Sequence, residues 1–202
     1  MTSGNQASGI SAWPEPGGRK PAPGTLALVQ AFMNTHYDRA RKRGGETLLS
    51  ADVLQGWLRA HQLIGHRALG EHDLHRAIAV REGLRALALA NNGHDLNTTA
   101  LDAMRRASAG AVSEIHIEPD GPQLIVSAEA DINSAIGALL AITARAMIDG
   151  TWPRLKACPG RYCGWAFYDH SKNQSARWCS MKVCGDREKS RVYYQRKIAK
   201  QP

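Results

Sequence analysis

The chain has 202 residues, enough for one good core or two small ones. With 43% apolar and 22% charged residues it is globular in composition, which excludes a wholly disordered, collagenous or disulfide-dense chain. Its 26 Lys+Arg against 18 Asp+Glu give a formal net charge of +8, and its longest nearly apolar run, residues 135–144, is far too short to span a bilayer.

Residues 1–24 are rich in Ser, Gly and Pro and lack the charged start and apolar stretch of a secretory signal, so they read as a flexible leader. Without export, a cytoplasmic, reducing setting is expected. Leu26, Val29, Met33 and Tyr37 then recur at helical spacing. A second helix is predicted from Ser50, burying Leu54, Trp57 and Leu58, with Gly44-Gly45 separating the two. Leu74, Ala77, Val80, Leu84 and Leu87 form the clearest stripe, and Asn91-Asn92-Gly93 is its expected stop.

Residues 112–117 and 124–128 are two β-prone runs around Pro119-Asp120-Gly121-Pro122, which predicts a hairpin. Ile132, Ile136, Leu139, Leu140, Thr143 and Met147 make a last apolar helical face, ended by Asp149-Gly150.

Charge divides the chain at that point. Residues 1–150 carry 14 Lys+Arg and 15 Asp+Glu, whereas residues 151–202 carry 12 and 3. A neutral body with a basic end that holds every cysteine points to a leader at 1–24, a body at 25–150 and a tail at 151–202 facing a polyanion.

Cys158, Cys163, Cys179 and Cys184 follow a C-x4-C-x15-C-x4-C pattern, two knuckles able to present four thiolates to one centre. Four soft ligands suit one tetrahedral Zn²⁺, and a closed shell of four makes it structural; two disulfides are the alternative. His170 is a spare nitrogen, expected at the surface or behind the ligands. A tail this small would need such a staple.

From about Lys182 to Lys200 the chain lacks Pro, and after Gly185 it lacks Gly, so a helix can start within the second knuckle. Arg187, Arg191 and Tyr194 share one face of it, flanked by Lys189, Arg196, Lys197 and Lys200. Such a helix can enter a major groove, with guanidiniums on base edges and lysines on phosphates. Arg161, Lys172, Arg177 and Lys182 would extend the footprint; a solvated basic helix that binds nothing is the bland alternative.

Trp165, Phe167, Tyr168 and Trp178 are expected mainly in the tail's core rather than stacked on bases. His72 and His75, three apart, read as an exposed helix start more than a metal pair. No Gly-rich phosphate loop, nucleophile elbow or His-Glu-x-x-His motif is present, so no enzyme is expected.

The tail closely resembles the CGNR-type zinc finger of bacterial regulators, through Cys158, Cys163-Gly164-Trp165-Ala166-Phe167-Tyr168-Asp169-His170-Ser171, Arg177-Trp178-Cys179-Ser180-Met181 and Cys184-Gly185-Asp186-Arg187-Glu188-Lys189. Leu26-Ala27-Leu28, Asn34-Thr35 and Leu54 with Trp57-Leu58 resemble, more loosely, the start of the ABATE domain that precedes this finger. Asp186 stands where the family name calls for Asn.

The resemblance implies a proposed stress-induced transcription regulator that binds double-stranded DNA, with an N-terminal domain that senses a small molecule or mediates dimerisation. A zinc-stabilised adaptor for RNA or a protein partner is the second reading. The fold class expected is α+β, mainly helical: a helical domain with one β-hairpin, then a small treble-clef-like or knuckle zinc finger with a basic helix.

Overall fold

The computed structural model describes residues 18–37, 45–119, 121–125, 127–161 and 163–198. Helix α1 (Leu26–Met33) buries Leu26, Val29, Phe32 and Met33, as its stripe requires. The stripe does not reach Tyr37. Asn34 closes the last turn through its backbone N–H onto the Gln30 carbonyl (3.0 Å), and its side chain leaves the helix for a partner far along the chain. Tyr37 instead packs edge-on against Trp165, with ring centroids 5.4 Å apart.

Helix α2 (Ala51–Ala60) starts at Ser50, whose hydroxyl accepts from the Val53 N–H, and buries Leu54 and Leu58. Helix α3 (Glu71–Ala90) is the longest and packs against α1, α2 and the elements that follow. Helix α4 (Thr98–Ala107) has no counterpart in the sequence reading. It is capped by Asn97 and lies so close to α3 that a Cβ at Gly83 would stand 2.4 Å from the Met104 Cβ.

Strands β1 (Glu114–Glu118) and β2 (Gly121–Ile125) form the expected hairpin with a shifted register. Gly121 and Pro122, read as turn residues, begin the second strand, opposite Glu118 and Ile117. Each strand of this two-stranded ribbon has a free edge, so a proline costs it no ladder bond to a third strand.

Helix α5 (Ile132–Ile148) is capped by Asp131, whose carboxylate accepts from Asn133 and Ser134 N–H. It buries Ile136, Leu139 and Ile142, while the Thr143 hydroxyl returns to the Leu139 carbonyl (2.9 Å). Met147, expected on the buried face, is exposed, because the helix outruns the core before turning at Gly150 (φ +69°).

A short 3₁₀ turn (Trp152–Arg154) leads to strand β3 (Leu155–Ala157), which pairs antiparallel with β4 (Ala166–Tyr168). A π-helical turn (Met181–Gly185) runs into helix α6 (Asp186–Ile198). The architecture is therefore α+β and mainly helical. One apolar cluster joins α1 to α5 with Trp152, Leu155, Ala157, Ala166 and Tyr168, so the small hairpin β3–β4 shares the core of the helical body.

Candidate metal centre and nucleic-acid interface

The first knuckle is the loop between β3 and β4. Cys158 N–H donates to the Trp165 carbonyl (2.8 Å), Gly164 N–H returns to the Cys158 carbonyl, and Gly164 turns the chain in the left-handed region (φ +65°). Cys163 N–H closes the tip onto the Gly160 carbonyl (2.7 Å). A Cβ at Gly160 would stand 3.2 Å from Cys184 Sγ and 3.4 Å from Cys158 Sγ, so a side chain there would crowd the sulfurs.

The second knuckle carries Cys179 and, within the π-helical turn, Cys184, whose N–H donates to the Ser180 carbonyl (2.9 Å). A ligand pair at a helix start, facing a pair from a hairpin knuckle, is the treble-clef kind of arrangement.

The four sulfurs all lie within 4.8 Å of one another; Cys163–Cys179 and Cys179–Cys184 are each 3.7 Å apart. A tetrahedron with metal–sulfur bonds of about 2.3 Å has edges of about 3.8 Å, so the donor set fits one ion of that size. These separations are also far beyond a disulfide bond, and all four cysteines are free.

Four thiolates packed this closely repel one another, so they cannot all ionise unaided. A divalent cation lets all four ionise together.

Side chains from distant parts of the chain hold both knuckles. Arg19 donates to the Cys179 and Trp178 carbonyls (2.8 and 3.0 Å) and lies 4.9 Å over the Phe167 ring. Arg85, fully buried, donates to Gly164 (2.6 Å) and to Met33 and His36. The Asn34 amide pairs with both backbone groups of Ala166, standing in for a third strand (2.8 and 2.9 Å). Asn91 donates to Trp152 and Leu155, and Asn92 to Ala157 and Arg177.

The part these side chains play in docking the finger had no local signal in the sequence. The Asn91-Asn92 pair was legible only as a helix stop, and Arg19 lies in the expected leader, of which residues 1–17 fall outside the described residues.

Inside the finger, the buried Lys156 ammonium donates to Asp169 (2.9 Å) and to the carbonyls of Gln174 and Ala176. Burial alone would raise the Asp169 pKa. Bonds from the Ser171 hydroxyl, Lys156 and the Ser171 and Ala176 N–H groups outweigh it and bring it down to about 2. Trp165, Phe167 and Tyr168 are buried, and Trp178 is half-buried. His170 is exposed, with Nε2 near the Lys20 and Pro21 carbonyls and no part in the sulfur cluster. His72 and His75 are exposed, and no metal-ligating group other than the cysteines appears among the described residues.

Helix α6 buries none of its residues. Arg177, Lys182, Arg187, Lys189, Arg191, Tyr194, Arg196 and Lys197 are all exposed, with Arg177 just before Cys179 and Lys182 in the turn ahead of the helix. Lys189 lies 3.8 Å from Asp186, and Arg191 is bound to Glu188 and, at 3.0 Å, to Gln195. Arg187, Arg196 and Lys197 have no ion pair or hydrogen bond among the described residues. Asp186 does not open a free first turn: its N–H donates to the Met181 carbonyl, so π-turn and helix are continuous. Lys200 lies outside the described residues.

Residues 154–197 match the CGNR zinc-finger family, and residues 26–150 match the ABATE family, described as a putative stress-induced transcription regulator. The chain belongs to the ABATE family. A comparison with curated proteins finds no match.

In this ABATE protein Cys158, Cys163, Cys179 and Cys184 hold one Zn²⁺. Bound by four thiolates, the ion supplies a cross-link between the two knuckles. The families point to a regulator rather than an enzyme, and among the described residues no helix is long and apolar enough to cross a membrane.

Proposed function

We propose that this ABATE protein is a DNA-binding transcription regulator whose basic C-terminal helix reads duplex DNA, with the helical body sensing a ligand or stress signal. The observation that carries the reading is the continuity of Cys184, the π-helical turn and α6. It sets a cationic helix with no buried residue on a metal-fixed base. A helix polar on every face is stabilised by its own pairs or by a partner it meets. The pairs Asp186–Lys189 and Glu188–Arg191 supply the first, and a polyanion supplies the second.

Arg187 is the strongest candidate for base contact: it sits next to the metal-held turn with its guanidinium uncommitted, whereas Arg191 must give up Glu188 to reach a base. Arg177, Lys182, Lys189, Arg196 and Lys197 are assigned to phosphates, and Tyr194 to the same face as Arg187.

The test is Arg187→Ala in binding isotherms on a selected preferred duplex and on random duplex. The expected result is a loss of about 1–3 kcal/mol on the preferred site with little change on random DNA. Equal losses on both would reassign Arg187 to phosphate contact, and tight binding of RNA with none of duplex DNA would favour the adaptor reading instead.

A further inference from the structure

A groove of about 590 Å³ lies between the finger's two knuckles, α6 and the turn after α3, a size within the roughly 300–1,000 Å³ of small-molecule sites. Arg161, Arg177 and Arg191 line it against a single carboxylate, Glu188, and that carboxylate is already held by Arg191. The Arg177 guanidinium has no hydrogen bond or ion pair among the described residues. Its carbonyl, however, accepts from the Asn92 amide (2.8 Å), so the backbone is tied to the body while the head stays open.

The groove also has an aromatic wall. Trp178 lines it and also a second groove of about 340 Å³ that it shares with Val192 and Tyr193. Of the four aromatics clustered in the finger, this is the one not fully buried, and its backbone is fixed: its carbonyl accepts from Arg19 (3.0 Å) and the next residue is a metal ligand. A site for phosphate alone has no use for an indole face. An apolar ligand would have to desolvate three guanidiniums. A stacking face beside an uncommitted guanidinium is the pair of features by which a nucleotide is held, base on the ring and phosphate on the fork.

We propose that this groove is a nucleotide subsite in which Trp178 stacks on the base and Arg177 binds the phosphate. It takes either an unpaired nucleotide of a DNA strand or a free nucleoside phosphate, two sources of one chemistry. The proposal deepens the reading of the finger as a nucleic-acid surface and rests on it for the strand. It shares Arg177 with that reading as a phosphate contact but does not use Arg187, so the Arg187→Ala arm and the free-nucleotide arm tell the two failures apart.

The experiment is tryptophan fluorescence of the full, zinc-loaded chain titrated with single-stranded oligothymidylate, with duplex and with AMP. It is run on the parent chain and on Arg177→Ala, Trp178→Phe and Arg187→Ala, with zinc content measured for each. Quenching by oligothymidylate or AMP is expected, absent in Trp178→Phe, with affinity weakened about tenfold or more in Arg177→Ala. Binding of oligothymidylate without AMP identifies the strand as the source, and binding of both identifies the free nucleotide as sufficient. If Trp178→Phe loses zinc, Arg177→Ala decides. Failure of both single-stranded DNA and AMP to bind, or unchanged affinity in Arg177→Ala, overturns the subsite. Loss of duplex binding in Arg187→Ala with Arg177→Ala unaffected leaves α6 as the reader and removes the groove.

Discussion

Asp169 shows how much a single residue of the finger decides. It is fully buried, accepts from Lys156, and has a pKa of about 2 against an ordinary 3.8. A depressed carboxylate stabilises the fold at pH values above its unfolded pKa, and that contribution is lost as pH falls from about 4 through about 2. Asp169→Asn leaves the Lys156 charge buried without its counter-ion, which costs about 3–5 kcal/mol. Urea melts at neutral pH are expected to show that loss, and the variant's stability should respond less to acid between pH 4 and 2 than the parent's. A variant as stable as the parent would mean that the carbonyls of Gln174 and Ala176 alone satisfy the ammonium.

At the scale of elements, the finger is docked by side chains that reach its backbone carbonyls. Asn92 is buried and donates to two of them, Ala157 and Arg177. Asn92→Ala strands both acceptors and is expected to destabilise the chain by about 1–3 kcal/mol. The same change frees the backbone of Arg177, so amide exchange near residues 177–179 should quicken in a hydrogen-exchange measurement. Unchanged exchange there would show that Arg19 and the metal fix the knuckle without Asn92.

The sequence carried some elements more legibly than others. Helix α3 announces itself by five apolar residues at helical steps, and the metal site by four cysteines at two equal spacings. Helix α4 offers only Leu101, Met104 and Ala107 to its neighbour, too few for periodicity to separate it from a loop, and it forms because Gly83 lets Met104 approach α3. The hairpin was visible but not its register, since Gly121-Pro122 is turn chemistry by composition and strand by pairing. The docking roles of Arg19, Asn34, Arg85 and Asn92 were silent for one reason: each reaches carbonyls far along the chain, the nearest being His36, 49 residues from Arg85. No local pattern encodes such a bond.

For the whole molecule, the shared core alters what metal removal does. The hairpin β3–β4 buries Leu155, Ala157, Ala166 and Tyr168 among residues of α1 to α5. Structural zinc supplies folding energy to the segment that binds it, and here that segment also covers part of the body's core. Chelation is therefore expected to unfold the knuckles and α6 and also to lower the melting temperature of the body, followed by circular dichroism at 222 nm. A body whose melting is unchanged without metal would show that the core of α1 to α5 is self-sufficient.

On the proposed reading, a zinc-held cationic helix with Arg187, Arg196 and Lys197 uncommitted meets a nucleic-acid backbone. The most direct measurement is the affinity of the intact, zinc-loaded chain for a random-sequence duplex at a series of salt concentrations from about 50 to about 200 mM. Contacts from Arg177, Lys182, Lys189, Arg196 and Lys197 to phosphates predict that log K falls linearly with log salt, by about 0.9 for each phosphate neutralised, hence a slope of several units. A flat salt response, or no binding at the lowest salt, would contradict it.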